Sequence, residues 1–577
     1  VKQTLKYESE QPNSLYDPNG SFQSINRRYD IVYGDVMLNF NYNINRFDIA
    51  ATVGWTGRYE NMNNIRVSTN GGLVTENWFD LNASRYTPSS TLQRMELLKT
   101  GYMGTLSLGW DNYLFLELTG RQERSSTLKD QSFFYPSANL SFLFTQAFHM
   151  PSWWNYGKLR LSYGIVGNAP ETYTANIVYE QGSDNGFTWN TIPSSWGNAD
   201  IRPEKKYEYE IGLESKFLNN RLGIDVSYYN NRVKDQILST PQPSTSGVKN
   251  VLMNVGEVAN HGWDISISAT PILTRDFRWD LTANYGVYKN KVVKLADGVP
   301  YLEILNSGGS GIKIQAVEGQ PMGDIYAQVP QVNENGEYLV SDKGLYLNQT
   351  ELQKVGNINP AGVGGLFNSF SYKNVFLDFS IDFRIGGDVI NEMNQYATAV
   401  GLTPESLKYR DTEHGGLSYY YPGDNNSSGI PVQVDPSTGA GPNGEIIYHD
   451  GIILPGVVAS TGERNTRIIP AGYYYNTTYN WGTEAEQLTY RHSVFDNSYV
   501  KLRELTIGYQ FPEKMISKLG LGRLSVSVFG RNLFYFYKAL KNYDAESSVG
   551  TSWANQATVG SSTTATRSFG VSLRASF

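Results

Sequence analysis

The chain has 577 residues and a net charge of −7, with an isoelectric point near 5.5 and no basic stripe, which argues against a nucleic-acid partner. Its mean hydropathy is −0.40 and no apolar run approaches the roughly 18 residues of a membrane helix, so a helical membrane protein is excluded while an alternating β-barrel is not. Cysteine is absent, which removes disulfides, thiol catalysis and Cys-ligated metal sites. In chain order, alternation of apolar and polar residues predicts strands over Tyr33–Ile44, Phe47–Tyr59, Gly101–Trp110, Tyr113–Arg124, Tyr135–Ala147, Gly157–Asn168, Lys205–Phe217 and Arg221–Asn231. It continues over Glu257–Thr270, Phe277–Asn290, Gly362–Lys373, Phe376–Gly386, Ser498–Phe511, Arg523–Tyr537 and Arg567–Phe577. In the last of these, Phe569, Val571, Leu573, Ala575 and Phe577 share one face, with Ser568, Gly570, Ser572, Arg574 and Ser576 on the other. About fifteen strands of roughly ten residues each fit a tilted bilayer crossing, and a final strand with one apolar face ending on an aromatic fits a lipid-facing wall.

The connections alternate in length. Asn45-Arg46, Asp111-Asn112, Leu218–Asn220, Pro271–Asp276 and Asn374-Val375 are short, whereas Glu60 to Thr100, Ala169 to Glu204, Lys291 to Ala361 and Gly387 to Asn497 are long. Outer-membrane barrels place short turns in the periplasm and long loops outside. On that assignment Lys538–Thr566 is an outer loop, and Pro512–Gly522 and Phe148–Tyr156 are larger periplasmic turns. An odd strand count would leave the first residues outside the cell, so the reading expects a partial barrel with several strands missing upstream. Aromatics are 13% of the chain, with 41 Tyr against 25 Phe, as suits rings at a membrane boundary. Tyr499, Tyr509, Phe511, Phe534, Tyr535 and Phe536 are expected there.

Several segments, in order, resemble the SusC-like TonB-dependent transporters of Bacteroidetes outer membranes. They are TGRQERSSTL, SFFYPSANLSF, LRLSYGIVGNAP, NVGEVANHGWDISISATPI, VGNINPAGVGGLFNSFSYKN, HDGIILPGV, NSYVKLRELTIGYQFPEK, FGRNLFYF and the final SFGVSLRASF. One departure is Glu123-Arg124, where the family pattern has an Asp-Trp-like pair after Gly-Arg. The resemblance implies an all-β fold, a transmembrane antiparallel β-barrel of about 22 strands, of which this chain supplies about fifteen across residues 1–577, with the amino-terminal plug domain absent. It also implies an outer-membrane location, a SusD-like surface lipoprotein as lid, energy from TonB acting through the plug, and oligosaccharide or oligopeptide cargo. It implies no enzymatic role and no cofactor.

Candidate ligand contacts are aromatic side chains in the outer loops, because exposed rings stack on sugars and cover apolar parts of peptides at low entropy cost. They are Phe187, Trp189 and Trp196 in one loop, and Tyr419, Tyr420, Tyr421, Tyr473, Tyr474, Tyr475 and Trp481 in another. The competing reading is that these rings pack the loops together. The histidines His149, His261, His414, His449 and His492 lack helical metal-ligand spacing, and no phosphate-binding glycine loop precedes a helical pattern. Gly362, Gly364 and Gly365 are expected to relieve crowding or allow a bulge, Asn254, Gly256, Asn260 and Gly262 to shape the start of a strand, and Pro512 to end one. A passive porin, a siderophore receptor, or a secreted β-rich glycan hydrolase or lectin are the alternatives. An upstream plug, a bound lipoprotein and fractionation with membranes separate them.

Overall fold

The computed structural model is almost wholly β, with sixteen strands in its main sheet. It describes residues 2–9, 19–129, 132–184, 186–242, 245, 247–307, 311–423, 429–480, 489–547, 552–559 and 565–576. The strands are β1 (Lys2–Ser9), β2 (Ser21–Ile44), β3 (Phe47–Leu73), β4 (Ser84–Trp110), β5 (Leu114–Ser125), β6 (Ser132–Phe142), β7 (Trp154–Asn168) and β8 (Glu204–Phe217). They continue as β9 (Leu222–Lys234), β10 (Glu257–Leu273), β11 (Phe277–Lys294), β12 (Gly362–Tyr372), β13 (Val375–Ile385), β14 (Tyr499–Gln510), β15 (Arg523–Lys538) and β16 (Ser568–Ser576). All fifteen predicted strands are present. Strand β1 is a sixteenth among the described residues, one more than the fifteen read from the sequence.

The chain divides into two compact units, Val1–Pro151 with Tyr156–Leu213 and Tyr229–Ala259, and Ser152–Asn155 with Glu214–Tyr228 and Asn260–Phe577. In the first, β1 to β7 each pair with the next strand, and β7 with β8. In the second, β8 to β16 pair in the same consecutive way, the strands β7, β8, β9 and β10 contributing residues to both units.

The tight turns form where the sequence supplies residues that tolerate positive φ. Asn45 (φ 53°), Asp111 (50°), Asn112 (60°), Asn219 (57°) and Asn220 (63°) all sit in them. Positive φ matches the twist of paired strands in two-residue hairpins, and Asn and Asp adopt it more readily than other side chains. The turn before β13 is Lys373-Asn374, one residue earlier than predicted, with Lys373 at φ 51°.

The first unit separates two kinds of residue by strand period. Leu38, Phe40 and Tyr42 of β2 lie opposite Val53, Ala51 and Ile49 of β3. The same face continues through Leu106 and Leu108, then Leu118 and Leu116, then Leu140 and Leu161. In the second unit Val526 and Val528 of β15 oppose Leu573 and Val571 of β16. Phe569, Val571 and Leu573 are 73%, 71% and 69% exposed. Three neighbouring apolar side chains left this bare would be destabilising in water, and a hydrocarbon surround removes that penalty.

The structure corrects the stretch from Glu60 to Thr100, predicted as a loop. Here β3 and β4 stay in register from Glu60 opposite Leu97 to Ser68 opposite Ser89, so only residues 74–83 connect them. This extension carries Asn, Thr and Ser on both faces, which erases alternation while the ladder still satisfies the backbone.

The glycines of β12 act without a bulge, since the register from Gly362 to Gly365 against β13 is unbroken. Gly364 lies opposite Tyr285 and Phe383, whose rings stack with centroids 6.1 Å apart. A Cβ at Gly364 would stand 2.4 Å from the Asn284 carbonyl oxygen and 2.5 Å from the Phe383 ring. Gly364→Leu is therefore expected to destabilise the barrel by about 1–3 kcal/mol through overpacking. Thermal unfolding followed by loss of the compact gel band tests this, and an unchanged midpoint would contradict it.

The long connections of the second unit are not bare loops. Ile312, Ile314 and Ile325, from the segment between β11 and β12, share a buried cluster with Ile390, Tyr490 and Val494, from that between β13 and β14. Ala554 and Ala557, from the segment before β16, complete it. Three predicted loops thus pack as one body with an ordinary apolar core.

Candidate functional site

The polar face of the first unit is a continuous wall. Asn39, Asn41 and Asn43 of β2 oppose Thr52, Ala50 and Asp48. Next come Thr105 and Ser107, then Thr119 and Glu117, then Ser137 and Asn139, and Ser162 opposite Asn139. Many of these groups bond across strands, as in Thr52 Oγ1 to Asn39 Oδ1 at 2.7 Å and Asn139 Nδ2 to Glu117 Oε1 at 3.3 Å. Further along the same strands, Arg121 donates to Thr56 Oγ1 (3.1 Å) and Glu123 Oε2 (2.9 Å), and Tyr135 Oη donates to Glu123 (2.8 Å). A concavity of about 780 Å³ runs along this wall, lined among others by Asn41, Asn43, Asp48, Glu117, Asn139 and Arg160. Amides, hydroxyls and a few charges at this density hold water, and they suit a path for polar cargo.

Aromatic rings gather at the tight-turn end. Phe47 and Trp110 stack at 6.4 Å, Trp110 meets Tyr113 at 5.4 Å, and Tyr113 meets Phe142 at 6.1 Å. In the second unit Trp153 and Trp154 both pack on Phe217 beside the Leu218–Asn220 turn. Of the predicted boundary aromatics, Tyr509 and Phe511 pair at the turn end, and Phe534 and Phe536 lie exposed on β15. Tyr499 and Tyr535 instead pack edge to face. The Tyr535 hydroxyl donates to Asp544 and its ring lies under Lys501, so it braces the outer body.

The loop aromatics fall into two groups. Phe187 (77% exposed) and Trp189 (46%) stand on the hairpin Glu180–Asp184 and Phe187–Thr191, with Trp189 lying over Gly182. Trp196, on the short strand Ser195–Trp196, meets Tyr179 edge to face. By contrast Tyr419 and Tyr421 are buried and pack on each other and on Tyr448. The Tyr419 hydroxyl donates to Asp450, and burial raises its pKa far above the usual phenol range. Tyr474 and Tyr475 occupy the helix Ala471–Tyr479, where they contact Tyr479, and Tyr475 is buried. These four rings hold the loop body together and offer little free face. Tyr420 is half-buried on the strand Leu417–Tyr420, and Tyr473 borders a cavity. Trp481 and Phe577 lie outside the described residues.

Three of the histidines take part in local contacts. His414 Nδ1 lies 2.7 Å from Asp411, and His449 Nδ1 lies 2.8 Å from Ser418 Oγ. His492 stacks on Tyr479 at 4.3 Å, and burial, with Arg491 adding to it, pushes its pKa down to about 4. Among the described residues no group of three or more His, Asp or Glu converges as a metal site. Asn254, expected to shape the start of a strand, bonds the Arg202 backbone on both sides of its amide and the Asp235 carbonyl.

Sequence reading missed two charged groupings in the second unit. Lys501 and Arg503 of β14 converge on Glu546, with Arg503 also on Asp382. Lys343 and Arg467 line one cavity. Both join residues far apart in the chain, so no local pattern could have announced them.

The sequence matches a known family model, described as TonB dependent receptor-like, beta-barrel, over residues 1–306. The chain belongs to this family. As a TonB-dependent receptor barrel it lies in the outer membrane, in keeping with the SusC-like resemblance of its motifs. It is 24% identical over 494 residues to TonB-dependent receptor P3 of Formosa agariphila, covering 78% of this chain and 42% of that protein. TonB-dependent receptor SusC of Bacteroides thetaiotaomicron is 30% identical over 247 residues, 39% of this chain and 24% of SusC. The barrel thus spans less than half the length of these curated relatives. A solved structure of the RagAB peptide transporter has the same fold, with a TM-score of 0.67 at 18% identity over 93% of this chain and 55% of that one.

Proposed function

We propose that this barrel is the membrane wall of a TonB-energised importer that takes up oligosaccharides or oligopeptides with a SusD-like surface lipoprotein as its lid. The observation that carries this is the division of the strands into an apolar face and a broad polar one. A wall lined by Asn, Ser, Thr and a few charged residues suits passage of polar oligomers. The likeness to SusC and to the RagAB fold supports the lid and the energy source. In this reading Phe187, Trp189, Trp196, Tyr420 and Tyr473 meet cargo, while Tyr419, Tyr421, Tyr474 and Tyr475 set the shape of the loops that hold it. Trp481 belongs to the first group by residue type alone.

The test is uptake of fluorescent oligosaccharides and oligopeptides by cells expressing the full-length protein, with and without TonB and a proton uncoupler. Uptake is expected to fall at least tenfold without either. Unchanged uptake in the TonB-deficient strain would mean a passive pore. Affinity capture from outer membranes is expected to bring down a surface lipoprotein, and its absence would favour a receptor that works without a lid.

A further inference from the structure

A hollow of about 380 Å³ opens in the first unit at the tight-turn end of β3 to β6. Two rows of side chains line it. Phe47, Trp110 and Leu114 stand opposite one another in one row, and Leu108, Leu116 and Leu140 in the next. The strand period puts all six on the apolar face, so the hollow opens toward lipid and away from the polar wall. The rings crowd to one side of it. Trp110 stacks on Phe47 at 6.4 Å and meets Tyr113 at 5.4 Å, while Leu114 beside it is a shorter side chain. An ion pair bridges two turns at the end of the hollow. Arg46 and Asp111 adjoin Phe47 and Trp110 in the chain, and the Asp111 N–H donates to the Arg46 carbonyl at 2.8 Å. Their charged ends lie 3.5 Å apart, with the side chains 72% and 38% exposed. An empty hollow facing hydrocarbon would forfeit dispersion contacts that a filling chain restores. Water is a poor substitute, because leucines and rings offer it little to bond.

We propose that this hollow holds one phospholipid of the periplasmic leaflet. One acyl chain lies along the leucine row against the Trp110 and Phe47 rings, and a zwitterionic headgroup with a primary ammonium meets the ion pair. The Arg46 guanidinium takes the phosphate, and the Asp111 carboxylate takes the ammonium. Short turns of an outer-membrane barrel face the periplasm, which sets the leaflet. Aromatic rings at a membrane boundary mark headgroup depth, and Trp110 and Tyr113 stand beside this pair. The match is selective. A headgroup with a phosphate and no amine would face Asp111 as a like charge, and a quaternary ammonium has no N–H for the carboxylate to accept. Burying hydrocarbon against hydrocarbon gives no hydrophobic gain within a membrane, so close packing retains the chain and the two charges select the headgroup. The site needs only the outer-membrane location of the barrel and does not depend on what the barrel imports.

The experiment is native mass spectrometry of the full-length protein released from vesicles of phosphatidylethanolamine, phosphatidylglycerol and phosphatidylcholine, in equal amounts and with identical acyl chains. Phosphatidylethanolamine is expected to be retained at least threefold over either of the others. Arg46→Gln is expected to remove that preference. Asp111→Asn leaves the guanidinium alone and is expected to turn the preference toward phosphatidylglycerol. Leu116→Trp fills the hollow and is expected to lower retention of all three lipids at least threefold. Should Leu116→Trp fail to insert, Leu140→Phe carries the same expectation. Equal retention of the three lipids by the parent, best retention of another lipid, or no retained lipid overturns the site. So does an unchanged preference in either folded charge variant, or unchanged retention in a folded variant with the hollow filled, since the lipid would then sit elsewhere.

Discussion

Leu573→Arg is expected to prevent stable insertion, whereas Ser572→Arg, one residue away, is expected to be close to neutral. Leu573 is 69% exposed on the apolar face, in line with Val526 of the neighbouring strand, while Ser572 lies opposite Ser527 on the polar face. An arginine facing hydrocarbon near the middle of a barrel costs about 2–4 kcal/mol, and one facing a water-filled interior costs little. Urea unfolding of each variant in lipid vesicles, with outer-membrane yield as a second readout, measures the difference. Equal stability of the two variants would mean that the faces are misassigned.

Glu546→Ala is expected to cost about 3–5 kcal/mol, because it strands a buried cation. Lys501 is 1% exposed, and its Nζ lies 2.5 Å from Glu546. Arg503 reaches the same carboxylate with both terminal nitrogens, at 2.5 and 2.9 Å, and also binds Asp382 at 2.5 Å. Burial alone would raise the Glu546 pKa, but the hydrogen bonds from Arg503 and Lys501 hold it down at about 2. A carboxyl with a depressed folded pKa stabilises the native state above its unfolded value near 4.5, and that contribution disappears as pH falls toward 2. The parent should therefore lose stability between pH 4.5 and 2, and the variant should lose less over the same window. Proteolysis of the segment between β15 and β16 across that range is the readout. A variant as resistant as the parent at neutral pH would contradict the assignment.

What the sequence made visible follows from periodicity. A strand with one face in lipid repeats every two residues, and Leu524 to Gly530 or Phe569 to Ala575 display this without any tertiary knowledge. The turns were legible because Asn45, Asp111-Asn112 and Asn219-Asn220 are residue types that accept positive φ. The halves of β3 and β4 beyond Glu60 and Leu97 were not legible, since their polar residues fall on both faces and leave no alternation. The loop body was hidden for a different reason. Its core joins Ile314, Ile390, Val494 and Ala557 from three separate segments, and no window of sequence contains more than one of them. The candidate site divided in the same way. Phe187 and Trp189 are exposed, whereas Tyr419, Tyr421 and Tyr475 are buried by packing partners that composition does not identify.

The absence of cysteine makes one measurement decisive for the two-faced wall. Single cysteines placed from Leu524 to Gly530 in the full-length protein can each carry a spin label in a lipid bilayer. The predicted result is strict alternation, with Leu524, Val526 and Val528 reached by oxygen, and Ser525, Ser527 and Phe529 reached by a water-soluble nickel chelate. Uniform access of the chelate along the strand, or no period of two, would contradict the account.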